Sequence, residues 1–290
     1  MRNLLIFALA LGLTSAASAQ SNSATTTQTG INASATTNQV NARSASSVIT
    51  QASANATNPA LSTGPVAEVV QAGRDNRSEL TQGRIGATTF QTQGQEALIR
   101  QTGDRNRSFA TQSGQRGDLN LLQSGDDNLS RVDQNGTGNT AGDAANRVIG
   151  IRQSGDDNRS FVTQSGSALV VEVDQIGSDN QSTLTQATGK YNEATVFQSG
   201  DDNNSTITQD QGAIGDFNTA DALQSGNDNR SAISQDGFSL SADLAQRGNM
   251  NRSTMTQSGM MNSADVVQAS NGNTSTVTQS GSGNAAVVNQ

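Results

Sequence analysis

The 290-residue chain contains no cysteine, no histidine and no tryptophan, and only two prolines. Without cysteine there is no disulfide to staple the fold and no thiolate to bind a metal. Without histidine, imidazole-based catalysis and imidazole metal sites are excluded. Hydrophobic residues make up 32% of the chain and aromatic residues 3%, too little for a conventional globular core of this length. The formal net charge of −8 argues against nucleic acid as a partner. No cofactor and no metal are expected, and no enzymatic activity.

Long hydrophobic runs are also missing. The run Leu4 to Leu13 is too short to span a membrane. With Arg2 before it and Ala17-Ser18-Ala19 after it, residues 1–19 read as a secretory signal with cleavage after Ala19. The mature chain is therefore expected to be exported and soluble.

What the chain does have is Gln and Asn on a fixed beat. A Gln is followed five residues later by an Asn, and that Asn six residues later by a Gln. The triplets are Gln71–Asn76–Gln82, Gln101–Asn106–Gln112, Gln123–Asn128–Gln134, Gln153–Asn158–Gln164, Gln175–Asn180–Gln186, Gln198–Asn203–Gln209, Gln224–Asn229–Gln235 and Gln246–Asn251–Gln257. From Gln257 the beat runs unbroken through Asn262, Gln268, Asn273, Gln279 and Asn284 to Gln290. An internal period of this kind governs the fold.

Within the beat every second residue is alike. Asn251, Ser253, Met255 and Gln257 alternate with Arg and Thr; Asn158, Ser160, Val162 and Gln164 repeat the arrangement. Period-two alternation makes a strand with two different faces. Between strands stand Ser154-Gly155-Asp156-Asp157, Ser199-Gly200-Asp201-Asp202 and Ser225-Gly226-Asn227-Asp228, which are turn formers. The second connection of each unit varies in length, and its insertions all fall at one point of the repeat, as they do in a stacked solenoid.

The expected fold is all-β: a β-solenoid of about nine strand-arc-strand-arc units of about 22 residues, counted from Gln71, forming a rod roughly 40–45 Å long. Its inward Gln and Asn would bond to their copies above and below, because a buried amide without a partner is costly. Residues 66–290 form this domain. Residues 20–65, rich in Ser, Thr, Ala and Asn, read as a low-complexity leader, mostly flexible, with Asn58-Pro59 and Gly64-Pro65 at its boundary. Fragments of the pattern survive there, as in Asn32, Ser34, Thr36 and Asn38 and in Ala45, Ser47, Ile49 and Gln51, enough for one or two degenerate rungs.

The motif Gln-x-Gly-x-x-Asn-x-Ser/Ala-x-aliphatic-x-Gln resembles the curlin repeat, found in subunits of curli, the secreted amyloid fibres of Gram-negative bacteria. The resemblance covers about Val66 to Gln290. It implies a β-solenoid exported through an outer-membrane pore, with a self-association partner, a nucleator subunit and export machinery of the curli type. It also implies a surface fibre that supports biofilm and adhesion. Units of this family usually begin with Ser where Asn192, Asn218 and Asn262 stand here.

The last strand, Asn284 to Gln290, carries no cap and reads as an edge that templates another chain. The Asp126-Asp127, Asp156-Asp157 and Asp201-Asp202 pairs read either as plain turn formers or as charges that slow premature aggregation. A non-polymerising adhesin on the same solenoid is the main alternative. An ice-binding solenoid follows from outward Thr pairs such as Thr254/Thr256, although Arg107, Phe109, Arg159 and Phe161 share that face. A Ca²⁺ β-roll needs a nine-residue beat, which this chain does not have.

Overall fold

The computed structural model of the chain describes residues 21–29, 33–52, 64–83, 94–137, 140–141, 150–210 and 217–290. The signal segment with Ala19, the Asn58-Pro59 boundary and the longest second-arc insertions (84–93, 142–149, 211–216) lie outside the described residues.

Two parallel sheets form the rod. The first sheet contains β1 (Ser23–Thr29), β3 (Ser46–Ala52), β5 (Arg77–Gln82), β7 (Arg107–Gln115), β9 (Leu129–Thr137), β12 (Arg159–Ser167), β14 (Gln181–Lys190), β16 (Asn204–Asp210), β18 (Arg230–Phe238), β20 (Arg252–Met260) and β22 (Thr274–Ser282). The second contains β2 (Ser34–Arg43), β4 (Val66–Arg74), β6 (Glu96–Thr102), β8 (Asp118–Ser124), β13 (Val170–Ile176), β15 (Glu193–Ser199), β17 (Thr219–Ser225), β19 (Ser241–Arg247), β21 (Ser263–Gln268) and β23 (Ala285–Asn289). Between β8 and β13, β10 (Thr140–Ala141) and β11 (Ile151–Ser154) share one rung, split by the insertion at 142–149. The chain thus alternates between sheets, strand by strand. Each sheet is eleven rungs deep, and ten steps at about 4.8 Å span roughly 48 Å.

Register follows the repeat. Gln164 pairs with Gln186 and Gln134, Gln198 with Gln175 and Gln224, and equivalent aliphatics stack, as Val162 on Leu184 and Val196 on Val173. A one-residue slip would turn every inward side chain outward, so the two-faced strands admit only this register. The core is a single aliphatic column between the sheets. It includes Ile49, Leu80, Val132, Val162, Leu184, Ile207, Ile233 and Met255 from one side, and Val69, Ile99, Leu121, Val173, Val196 and Val266 from the other. Burying one such side chain contributes about 1.5–3 kcal/mol, so a thin core repeated along the rod replaces a thick one.

Residues 20–65 depart from the expectation of a mostly flexible leader. Among the described residues of this stretch, 23–29 and 34–52 contribute β1, β2 and β3, with Gln28, Gln39 and Gln51 in the glutamine columns. Gln28 and Gln39 keep the 11-residue beat, but the inward residues of β2 are Ala35, Thr37 and Gln39, so the expected fragment with Ser34, Thr36 and Asn38 faces outward, one residue out of register. A bulge between Gln39 and Ala42 stretches the beat by one residue, and Asn41 and Ser44 take left-handed backbone where later arcs use Gly and Asp.

Candidate functional site: stacked amide ladders

Short of the last rung, the ladder glutamines put both amide hydrogens to use. One is donated along the stack: Gln101 to Gln123 Oε1 at 2.8 Å, Gln123 to Gln153 at 2.8 Å, Gln153 to Gln175 at 2.9 Å and Gln175 to Gln198 at 2.8 Å. The other crosses the core to the opposite sheet: Gln123 to the Arg107 carbonyl, Gln175 to the Arg159 carbonyl and Gln246 to the Arg230 carbonyl, each at 3.0 Å. The glutamines therefore hold rung to rung and sheet to sheet with one group. The same along-stack bonds link Gln71, Gln82, Gln112, Gln134, Gln164, Gln186, Gln198, Gln209, Gln224, Gln235, Gln246, Gln257, Gln268, Gln279 and Gln290 into two columns. Every one of these donors points toward the C-terminal rung.

The asparagines close the first arcs. Asn158 donates to Asn128 Oδ1 at 3.1 Å and to the Gly177 carbonyl of the next rung at 2.7 Å, and its own Oδ1 accepts from the Asn180 backbone at 3.1 Å. Asn76, Asn106, Asn128, Asn180, Asn203 and Asn229 reach the next glycine carbonyl in the same way, at 2.6–2.8 Å. Asn251 and Asn273 continue the column. On the opposite edge Asn262 and Asn284 pair at 3.0 Å, and Asn192 and Asn218 stack likewise, but buried Leu169 and Leu240 interrupt the column.

A third ladder escaped the reading of the sequence. The first Asx after the arc position held by glycine in most rungs accepts the backbone N–H of the rung before. Asp126 accepts from Asp104 at 2.8 Å, Asp156 from Asp126 at 2.8 Å, Asn227 from Asp201 at 3.0 Å, Asn249 from Asn227 at 2.8 Å and Asn271 from Asn249 at 2.7 Å. The signal was present: from Asp104 onward every such position except Ser178 bears a side-chain δ oxygen, while Arg43 and Arg74 hold it in the first two rungs. The residue after it has left-handed backbone, with φ of 54–59° from Asp75 to Met250. In that column the Arg105 guanidinium sits on the Asp127 carboxylate, Nη2 to Oδ2 at 2.6 Å, and its hydrogen bond holds the Asp127 carboxyl below the usual range.

Not every inward polar group is matched. The hydroxyls of Ser78, Ser108, Ser130, Ser160 and Ser182 are buried without a partner, while Ser231 donates to Ser205 and Ser275 to Ser253 at 2.8 Å. Replacing Ser130 by Ala is therefore expected to leave stability unchanged or raise it by up to about 1 kcal/mol, whereas Ser205→Ala should cost about that much. Urea unfolding of the two variants checks the contrast.

The outer faces differ in charge. Outward from the first sheet point Arg77, Arg107, Arg131, Arg159, Lys190, Arg230 and Arg252, against Glu79, Asp133, Asp210 and Asp236 among the described residues. Outward from the second point Glu68, Glu96, Asp118, Glu172, Asp174, Glu193, Asp221, Asp243 and Asp265, against Arg43, Arg74, Arg100, Arg152 and Arg247. The register lays Asp221, Asp243 and Asp265 in adjacent rungs. Partial burial first, then Asp221 and Asp265, raise the Asp243 carboxyl above its ordinary range. A carboxyl raised in the folded state favours folding fully below its unfolded value, and that contribution is lost as pH rises through the folded value. Stability should therefore increase as pH falls from neutral toward about 4. Asp243→Asn should flatten that slope in urea titrations run at several pH values.

Among the described residues no group of acidic side chains is placed to hold a metal ion, and no helix is long and apolar enough to cross a membrane. Residues 125–166, 155–187, 188–210, 214–237 and 239–269 each match the family described as curlin associated repeat. No curated protein matches the chain.

Proposed function

Since the chain belongs to the curlin-repeat family, we propose that it is a secreted structural subunit that polymerises end to end into a curli-like amyloid fibre on the bacterial surface, where it supports biofilm matrix and adhesion. The observation that carries this reading is the sameness of the rungs. Among the described residues β22 and β23 pair on one side only, as do β1 and β2. Gln279 and Gln290 complete the donor direction of their columns, and Gln28 and Gln39 begin it. A second copy placed on the stack would meet the same Gln pattern that every internal rung meets. Such a heterologous contact does not close, so it yields a filament. The partners of this reading are further copies of the chain, a nucleator subunit and outer-membrane export machinery of the curli type. The role is structural rather than catalytic.

The test starts from the chain without residues 1–19, unfolded and diluted into buffer, followed by thioflavin fluorescence and electron microscopy. Unbranched fibres are expected. A folded, β-rich monomer that never assembles would replace this reading with the non-polymerising adhesin.

A further inference from the structure

We propose that these solenoids also associate side by side, the outer face of the first sheet of one copy lying on the outer face of the second sheet of another. The two faces have opposite sign on one molecule: six arginines and Lys190 against four carboxylates on the first, nine carboxylates against five arginines on the second among the described residues. The first face is basic although the chain as a whole carries −8. Both faces are ruled by the same rung spacing, because both are parallel and in register. Charges on consecutive rungs of one face therefore match charges on consecutive rungs of the other at any whole-rung offset. Arg230 and Arg252 occupy adjacent rungs, as do Asp243 and Asp265.

The faces also have the right size and texture. Eleven rungs of strands about 20 Å long give roughly 1,000 Å² per face, comparable with the ~800 Å² per partner of a standard interface. Each carries half-buried apolar groups among the charges: Phe109 and Phe161 on the first, Phe197, Leu223 and Val267 on the second. A single exposed ion pair contributes little; a commensurate row of them, joined to apolar contact and repeated along the rod, adds up. The first arcs, lined with aspartates, repel one another and leave the sheet faces as the route of association. An acidic polysaccharide would also suit the basic face, but the molecule itself supplies an acidic surface of the same period and length.

The test separates side-by-side association from end-to-end growth. Fibre length and thioflavin signal report growth; fibre width in negative-stain images and low-speed pelleting report lateral contact. Raising NaCl from about 0.1 M to about 1 M shortens the screening length from about 10 Å to about 3 Å and is expected to resolve bundles into single rods of unchanged length. The triple variant Arg159→Glu, Arg230→Glu, Arg252→Glu should give single rods at low salt, and so should Asp221→Arg, Asp243→Arg, Asp265→Arg. Mixing the two should restore bundles, which a folding defect would not do. Bundles that survive salt and both charge reversals overturn the proposal. So do wild-type rods that stay single at low salt, including rods that instead retain polygalacturonate through the basic face. A chain that forms no rods but still pairs laterally in a salt-dependent way contradicts the growth reading and leaves this one standing.

Discussion

Gly155→Ala is expected to be among the most damaging single-methyl additions in the molecule. Gly155 has φ of +108°, a backbone conformation that an L side chain rarely adopts, and an added Cβ would lie 2.2 Å from the Gly177 carbonyl oxygen of the next rung. That oxygen cannot retreat freely, because Asn158 holds it at 2.7 Å. Strain of about 1–3 kcal/mol and overpacking of about 1–3 kcal/mol together remove roughly 2–6 kcal/mol, a large share of the stability of an ordinary domain. The comparison is Gly272→Ala, where φ is +71° and an added Cβ meets nothing within 4 Å; it should cost only about 1 kcal/mol of left-handed strain. Urea unfolding of the freshly refolded chains measures both. Hydrogen exchange should accelerate in the rungs around Gly155 and remain unchanged near the ends, since a solenoid transmits damage only to its neighbours. Equal losses in the two variants would mean that the rungs are not spaced as tightly as the ladder requires.

Gln175→Leu is expected to cost roughly 2–5 kcal/mol although it keeps the volume of the side chain and makes it apolar. Gln175 accepts from Gln153 at 2.9 Å and donates to Gln198 at 2.8 Å, with its other hydrogen on the Arg159 carbonyl. Leucine orphans one buried donor above and one buried acceptor below, at about 1–3 kcal/mol each, offset in part by its own burial. Gln290→Leu, at an exposed rung, should cost less than about 1 kcal/mol. Gln175→Glu separates hydrogen bonding from shape. Its carboxylate would be desolvated, so its folded pKa rises above the ordinary value of about 4.3. The variant should then be less unstable in acid and lose stability as pH rises through the folded value. A Gln175→Leu chain as stable as wild type would show that the amide ladders are incidental to the fold.

Much of this was legible in the chain. The inward Gln and Asn positions followed from period-two alternation locked to the 11-residue beat, because a parallel in-register stack gives the same residue the same environment in every rung. What was hidden follows from the same logic. Gln28 and Gln39 sit in ladder columns 11 residues apart, but the bulge after Gln39 stretches the step to Gln51 to 12, and Ala45 stands where the next rung has Asn76. The arc ladder of Asp104, Asp126 and Asp156 looked like turn chemistry, because in one strand an Asp that caps a turn and an Asp that accepts from the neighbouring rung have the same sequence signature. Leu169 and Leu240 occupy a position that holds Asn in other rungs, and a column tolerates an apolar interruption where the side chain can fill the arc. The opposed charge of the two faces is invisible until strands are assigned to sheets, since both kinds of charge alternate along the same chain.

The central claim is that one chain supplies a whole stack of rungs and that filaments are stacks of such stacks. Mass per unit length of the fibre, measured by scanning transmission electron microscopy of unstained single rods, tests it most directly. The solenoid account predicts about one chain, the 29.8 kDa protein less its residues 1–19, for every ~50 Å of rod, eleven rungs at about 4.8 Å each. A generic stack in which every molecule adds one layer of each sheet would place one chain every ~4.8 Å. A value about tenfold higher than predicted would contradict the account.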